Sequence, residues 1–476
     1  MERSEAVLKG IRSVLVVGLG ISGRAAADRL LREGKRVTVN DASTAAEVRS
    51  AAEELSLRGA EVALGHHDLD LLDDMDLVVV SPGVPSRVPL LHEAEAKGLR
   101  IWSEVELAWR FTRGPVVAVT GTNGKTTTVS MIEWICERAG MPVLAAGNIG
   151  HPFITAVEEA GEGEMLIVEV SSFQLAFIEQ FRPKVAVLLN IAEDHFDWHA
   201  DMREYVAAKS RMWMNQKEGD LVVCNMDDPL CARAAAGAPA QVTYFSRRPD
   251  PLAAVYLSEG RMLSRLALGP EGVLRPREIM RAENLALPGG HNLENAMAAA
   301  AAAVSMGIEP ETVGEALASF RGLSHRLQFI SEVNGVRFYN DSKATNPHAA
   351  MHALDAFPGP LVVIMGGKNK GLSFDELAAA LEERGRRGDV RTVYLIGEAA
   401  AELSGALENV SVHLDTRMLP GLEEVFSDLP RVAEAGDTVL FSPACASFDH
   451  YADYKERGKH FQVMVESYRE KGEAGG

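Results

Sequence analysis

The stretch VVAVTGTNGKTTTVSMIEWI, Val116 to Ile135, constrains this chain more than any other. A β-branched run meets a Gly-punctuated turn, and a helix-period segment then opens with Lys-Thr-Thr, so the stretch reads as strand, phosphate loop and helix. Backbone N–H groups in such a turn point at a ligand, the helix N-terminus adds positive potential, and Lys125 adds a full charge against triphosphate oxygens. Thr126 offers a hydroxyl to magnesium. The candidate ATP-binding residues of the loop are Gly121, Thr122, Asn123, Gly124, Lys125, Thr126 and Thr127. The loop is shorter than the usual G-x-x-x-x-G-K-[ST], because its first glycine is Gly121 and the position five before Gly124 is Val119. A turn that merely joins strand to helix has no need of Asn-Gly followed by Lys-Thr-Thr.

The length of 476 residues implies about three domains, and 47% apolar residues can fill several cores. Apolar runs such as Val14 to Val17 and Leu77 to Val80 are too short for a bilayer, and the charged start MERSEAVLKG has no signal-peptide apolar region, so no membrane insertion and a cytoplasmic location are expected. Cys136, Cys224, Cys231 and Cys445 form no C-x-x-C pair and are expected as free thiols. A net charge of −19 opposes nucleic acid and anionic membranes, so a phosphate-bearing ligand has to be captured by local glycine loops and a few placed cations. A monomer is expected, because no exposed heptad or long edge strand is evident.

The chain begins with VLVVGLGISGRAAADRLLREGKRVTVND, where a buried-type strand runs into G-x-G-x-x-G at Gly18, Gly20 and Gly23, and Asp41 ends a second strand about 20 residues on. Taken alone this pattern reads as NAD binding. The same turn can also hold another nucleotide diphosphate such as a UDP-sugar, or serve only as a tight turn with an acidic strand cap. Further strands at Glu61 to Gly65, Leu77 to Ser81 and Arg100 to Ser103 alternate with helical stretches, which is the pattern of a parallel α/β unit. Thr112-Arg113-Gly114-Pro115 punctuates the chain, so a Rossmann-like first domain is expected over 1–112.

Strands at Pro142 to Ala146, Met165 to Val170, Val185 to Ile191 and Leu221 to Asn225 surround the phosphate loop, which places a second α/β domain over 113–323. Polar clusters follow these strands: AGNIG with Asn148, EVSSFQL with Glu169 and Ser171, and NIAEDHFDWH with His195. Ligands of open parallel sheets bind at such carboxyl edges. Glu169 is a magnesium ligand or a strand-end charge, and His195 a metal ligand or a satisfied loop histidine. Lys209 reads as a solvated surface lysine. Val242 to Ile279 alternates short β-like runs with turns, which suggests an antiparallel accessory sheet. Six alanines, Ala298 to Ala303, suggest a closely packed helix whose start holds His291, Asn292 and Asn295.

A third βα series over 324–476 carries VRFYNDSKATNPHAA, LVVIMGGKNKG, TVYLIG and DTVLFSPACASFDHY. It gathers Asp341, Lys343, Thr345, Lys368, Lys370, Ser442 and Ser447 at one sheet edge, either as caps and turn polars or as a site. GGKNKG, with two lysines in a glycine loop, makes an anion site.

These residues carry a resemblance that covers nearly the whole chain. GTNGKTTT, EVSSFQL, NIAEDH, Y-x-A-A-K, GGHNxxNAMAA, SHR, NDSKATN and SPACASFD occur in the order found in Mur ligases. NDSKATN with SPACASFD, and SPG in the first domain, resemble the members that add D-glutamate to UDP-N-acetylmuramoyl-L-alanine. The DNPR-type segment of the diaminopimelate-adding members is absent. The resemblance implies an α/β chain of three domains: N-terminal Rossmann-like, central P-loop ATPase-like and C-terminal Rossmann-like. It revises the first turn from NAD to the uridine diphosphate sugar, near Ile21, Ser22, Asp41 and Ala42.

It also implies ATP and Mg2+ as cofactors, with Lys125 and Thr126 at the phosphates and metal and with Glu169 and His195 as a metal and active-site pair. Lys209 matches the lysine that the family carbamylates, near a second magnesium, which reverses the surface reading. Asn292, Asn295, Arg326, Asp341 and Lys343 match the residues around the nucleotide. Asn148 and Ser171 fall on the substrate side, and Thr345, Lys370 and Ser447 at the incoming D-glutamate. The implied chemistry is phosphoryl transfer from ATP to the L-alanyl carboxylate and attack of an amine on the resulting acyl phosphate, in peptidoglycan precursor synthesis. An NAD-dependent oxidoreductase would leave the phosphate loop unexplained, and a regulatory P-loop ATPase would leave the first and third domains unexplained.

Overall fold

The computed structural model describes residues 7–147, 151–192, 198–266, 276–287, 289–322, 325–369, 372–408 and 414–474. The chain forms two compact units, Met1–Ala286 with Gly290–Phe320, and Leu287–Gly289 with Arg321–Gly476.

The first unit holds two sheets. Strands β1 (Ser13–Val17), β2 (Arg36–Asp41), β3 (Glu61–Leu64), β4 (Leu77–Val80) and β5 (Arg100–Ser103) form a parallel sheet in the order β3-β2-β1-β4-β5. The order reverses at β1, which is buried throughout and opens into the Gly18–Gly23 turn and the helix Ile21–Arg32. Gly18 has φ +91°, and a Cβ on Gly23 would stand 1.8 Å from the Gly18 carbonyl oxygen, so helix and strand meet at a distance only glycine allows.

The second sheet contains β6 (Val116–Thr120), β7 (Val143–Gly147), β8 (Met165–Glu169), β9 (Val185–Leu188), β10 (Leu221–Asn225), β11 (Gln241–Ser246), β12 (Ala253–Ser258), β13 (Arg261–Ser264) and β14 (Arg277–Arg281), in the order β14-β13-β12-β11-β10-β9-β6-β8-β7. The antiparallel accessory sheet expected over Val242 to Ile279 forms only in part. β11 and β12 continue the parallel sheet, and only β12-β13-β14 run antiparallel at its edge. The helix Pro229–Ala235 supplies the crossover that a parallel β10–β11 pair requires, whereas Glu259 and Gly260, both at positive φ, close a tight hairpin between β12 and β13. All six alanines of 298–303 are fully buried in the helix Gly290–Ser305, which their small side chains let pack closely on the helix Lys125–Arg138.

A short linker helix, Glu104–Phe111, joins the two sheets. The Ser103 N–H donates to the Phe177 carbonyl at 2.8 Å, and Glu104 Oε1 accepts the Ile154 N–H at 2.7 Å. The fully buried Glu106 carboxylate accepts three consecutive backbone N–H groups, from Glu179, Gln180 and Phe181, at 2.8 to 3.0 Å, and Arg110 Nε donates to it at 2.7 Å. One apolar core runs continuously through this joint, from Val14 and Leu30 through Trp102 and Leu107 to Phe153, Leu166 and Phe181.

The second unit has one sheet of β15 (Gln328–Val333), β16 (Val336–Asn340), β17 (Leu361–Gly366), β18 (Val390–Ile396), β19 (Thr416–Met418) and β20 (Thr438–Ala444). Its order is β15-β16-β20-β17-β18-β19, parallel except for β15. The carboxyl ends of β16, β20 and β17 therefore lie side by side. Among the described residues no helix is long and apolar enough to cross a membrane, and all four cysteines are buried free thiols.

Burial pushes the Glu104 carboxyl up to about 7, against the opposing backbone hydrogen bonds from Ile154 and Phe153. The folded state thus holds a proton that the unfolded chain releases near pH 4.5, and the stability this contributes is complete below pH 4.5 and lost as pH rises through 7. Glu104→Gln keeps an acceptor for Ile154 without a titrating group. Denaturant unfolding of both proteins from pH 4 to 8 should show the wild type losing on the order of 2 to 3 kcal/mol relative to the variant across that window; a constant difference would refute the proton linkage.

Candidate active site

At the carboxyl end of β6, Gly121 and Gly124 both have positive φ, at +156° and +84°, and Gly124 is the left-handed N-cap of the helix Lys125–Arg138. A Cβ on Gly124 would lie 2.1 Å from Asn295 Oδ1, so the loop packs directly on the start of the helix Gly290–Ser305. Asn292 is buried beside it, with its Oδ1 3.4 Å from Asn295 Nδ2. Asn190 clamps the loop by accepting the Asn123 N–H at 2.8 Å and donating to the Asn123 carbonyl at 3.1 Å. The Thr122 hydroxyl accepts the Ala192 N–H at 3.0 Å and lies 3.1 Å from the Tyr205 hydroxyl.

Two lysines converge on this loop. Lys125 Nζ donates to the carbonyls of Gly121 and Thr122 at 2.9 and 2.8 Å, and Lys209 Nζ donates to the Gly121 carbonyl at 2.9 Å. Lys209 is 1% exposed and its ammonium sits 4.4 Å from the Tyr205 ring centroid, so the surface-lysine reading fails on burial alone. Tyr205 and Lys209 stand four residues apart on the helix Met202–Ser210, a spacing that puts both on one face. Tyr205 entered the sequence reading only as the first residue of Y-x-A-A-K, with no role of its own.

Thr126 Oγ1 donates to Glu169 Oε2 at 2.7 Å, which brings a hydroxyl and a nearly buried carboxylate together at the first turn of the helix. Both are hard oxygen donors and fit Mg2+. Among the described residues no three His, Cys, Asp or Glu side chains cluster as a metal site, and a magnesium nucleotide site needs few protein ligands. Thr127 is buried in the same turn. Ser171, expected on the substrate side, caps the helix Ser172–Ala176 through a reciprocal bond with Gln174. Asn148, His195 and Lys370 lie outside the described residues.

A cavity of about 440 Å³ opens beside the Gly18–Gly23 turn. Ile21, Ser22, Asp41 and Ala42 line it, together with His67, the Ser81–Pro85 loop and two residues of the second sheet's side, Gly147 and Pro152. Asp41 holds the turn, its two oxygens accepting the Leu19 and Ser43 N–H groups at 2.7 and 2.8 Å. His67 was assigned no role from sequence, and SPGVPSRVP was read as turn chemistry at a sheet's carboxyl edge, with its SPG part of the resemblance.

In the second unit Asp341 follows β16 and is 5% exposed, accepting from the Ser442 hydroxyl at 2.8 Å and from the Leu327 N–H at 3.2 Å. Burial raises its carboxyl to about 7 against these bonds and the charges of Arg326 and Lys343. Lys368 and Ala446 form a two-way backbone bridge at 2.8 and 3.0 Å, which lays the segment after β17 against SPACASFD. A Cβ on Gly367 would stand 2.3 Å from the Ala446 carbonyl oxygen, so this approach also requires glycine. Ser447 is buried next to the bridge, Thr345 is half-buried beyond Lys343, and Lys368 Nζ lies 4.0 Å from Glu398.

A parallel sheet with a phosphate loop, joined to a Gly-rich α/β domain and followed by a third, defines a nucleotide-using enzyme class. The chain belongs to the Mur ligase family: the Mur ligase MurD-like N-terminal domain matches residues 12–103, the Mur ligase middle domain 119–303, and the Mur ligase glutamate ligase domain 325–445. It is 44% identical to the UDP-N-acetylmuramoylalanine--D-glutamate ligase of Pelotomaculum thermopropionicum over 96% of this chain and 98% of that one. Identity to the enzyme of the same name from Clostridioides difficile is 37%, over 97% and 100%. The fold is that of the MurF ligase from Thermotoga maritima in complex with ADP, with a TM-score of 0.54 at 19% identity over 97% and 96% of the two chains. UDP-N-acetylmuramoylalanyl-D-glutamyl-2,6-diaminopimelate--D-alanyl-D-alanyl ligase from Acinetobacter baumannii gives 0.56 at 16% identity over 98% of each.

Gly124→Ala combines a left-handed backbone with a clash against Asn295, so it should lower stability by about 1 to 3 kcal/mol and weaken ATP binding by about tenfold or more. Calorimetric ATP titration and thermal unfolding measure both effects. Adding Asn295→Ala should recover only the steric part of the stability loss.

Proposed function

We propose that this protein is an ATP-dependent ligase that joins D-glutamate to the L-alanyl carboxylate of UDP-N-acetylmuramoyl-L-alanine, releasing ADP and phosphate, in cytoplasmic peptidoglycan precursor synthesis. The observation that carries this is the full-length likeness to D-glutamate ligases combined with a phosphate loop whose Thr126 and Glu169 meet at 2.7 Å. In this proposal 1–112 binds the uridine nucleotide, 113–323 binds ATP, 324–476 binds the amino acid, and the enzyme acts as a monomer.

A carboxylate is a poor electrophile, and transfer of the γ-phosphoryl group onto it creates a leaving group. Lys125 and the N–H groups of Gly121 to Thr127 hold the phosphates, and Asn292, Asn295, Arg326, Asp341 and Lys343 hold the rest of the nucleotide. Thr126, Glu169, His195 and Lys209 are the residues proposed to hold metal. When bound, Mg2+ offsets the charge that develops on the transferred oxygens. Ile21, Ser22 and Asp41 hold the uridine nucleotide, and Asn148 and Ser171 face the muramoyl substrate. Thr345, Lys370 and Ser447 orient D-glutamate. Its ammonium has to lose a proton before attack on the acyl carbon, with His195 or a neighbouring carboxylate as the base.

Lys209 is proposed to carry a carbamate. Its nitrogen is buried beside the Gly121 carbonyl at the phosphate loop, where a carbamate would set an anion within reach of magnesium.

Phosphate release should require both D-glutamate and UDP-N-acetylmuramoyl-L-alanine, with no change in nicotinamide absorbance. NAD binding at about micromolar strength, with no binding of the muramoyl nucleotide, would overturn the assignment. For Lys209, carbon-13 NMR of enzyme in labelled bicarbonate should show a carbamate signal that Lys209→Arg lacks, with activity lower by about 100-fold or more in the variant. Full activity in Lys209→Arg, which keeps the cation but cannot be carbamylated, would refute the carbamate.

A further inference from the structure

In the cavity beside the Gly18–Gly23 turn, one imidazole has a bonding pattern that fixes what it can recognise. Asn40, next to the end of β2, is fully buried, and its Nδ2 donates to the carbonyls of Ala63 and His66 at 2.9 and 2.8 Å. Both amide hydrogens are therefore engaged, and the amide orientation is set by two carbonyl oxygens. The remaining amide atom, Oδ1, lies 2.5 Å from His67 Nδ1. An amide oxygen can only accept, so Nδ1 carries the ring proton. Desolvation also holds the pKa of His67 below its ordinary value, outweighing the nearby Asp41 charge, and the ring is neutral near pH 7.

In that tautomer Nε2 is a bare acceptor. Nδ1 is turned to the buried Asn40, so the opposite edge of the ring lines the cavity, and Nε2 has no hydrogen-bond partner among the described residues. Asp41, also on this wall, receives the Leu19 N–H on one carboxylate oxygen and the Ser43 N–H on the other. A ligand that fills this wall has to present a donor to His67, because two facing acceptors would leave Nε2 desolvated and unpaired.

We propose that His67 selects the base of the nucleotide by accepting the N3–H of uracil and rejecting cytosine, whose N3 presents a lone pair at the same place. This rests on the cavity's assignment to a uridine nucleotide and adds the residue that enforces it. Discrimination of this kind comes from the unpaired acceptor left with the wrong base rather than from shape, since the two pyrimidines have the same outline.

Calorimetry on the full chain with UDP, CDP and the diphosphate of 3-methyluridine tests it. The wild type should bind UDP about 10 to 100 times more tightly than either analogue. His67→Phe keeps a ring of similar size without the acceptor, and should bring UDP and CDP to within about threefold of each other. Nitrogen-15 NMR of the wild-type imidazole provides a readout that needs no variant: Nε2 should be unprotonated and shift on UDP binding but not on CDP binding. A proton on Nε2, or an unchanged UDP preference in His67→Phe, overturns the role of His67. A wild type that binds neither diphosphate overturns the uridine assignment of the cavity itself, which is a separate failure.

Discussion

The buried Glu106 carboxylate, with three consecutive backbone N–H groups and one arginine converging on it, is the interaction on which the first unit depends. A carboxylate is costly to bury unless its lone pairs are met, and here donors from the segment ahead of β9 meet them. Those donors come from the second sheet's side and the carboxylate from the linker helix. The satisfied charge therefore ties together two α/β layers that also share one apolar core. Glu104 makes the same crossing toward the helix Phe153–Glu159. With the two layers held in register, the Gly18–Gly23 turn and Gly147 share the wall of one cavity.

A phosphate loop shortened to GTNGKT surrenders part of its own backbone cradle, and side chains from elsewhere replace the missing constraint. Asn190 pins Asn123 from both sides, the Thr122 hydroxyl is held by Ala192 and Tyr205, and Asn295 fills the space that only Gly124 leaves open. Lys125 and Lys209 both reach the Gly121 carbonyl, and Lys125 fixes a cation at this one turn of a chain whose net charge is −19. Local placement overrides net charge because a fixed cation a few ångströms from a phosphate outweighs screened carboxylates far away.

The second unit solves a different problem, that of placing small polar groups where three strands end. Close approach of Gly367 to Ala446 lets the loops after β17 and β20 bond to one another, and this positions Ser447 and Lys368 from two separate segments. Asp341 is buried at the neighbouring strand end, held by Ser442 and the Leu327 N–H, and its raised pKa is the electrostatic cost of that burial.

What the sequence determined by itself was whatever depends on local order. The strand, loop and helix around Lys125, the Gly18–Gly23 turn, the parallel strands and the packed alanine helix are set by residue type and spacing over a few positions, and each formed where the pattern put it. The accessory strands pair antiparallel as expected only from β12 to β14, because the parallel pairing of β11 with β10 and β12 depends on neighbours that no short window contains. Lys209 has the composition of a surface residue, and only the crossing of its helix over Gly121 buries it. His67 carries no motif. Its tautomer, and with it what it can recognise, is decided by Asn40 and by two carbonyl oxygens, from Ala63 and His66, that come into reach only when β2 and β3 pair. Spacing along the chain specifies elements, whereas protonation, burial and the partners of a polar group are properties of the assembled environment.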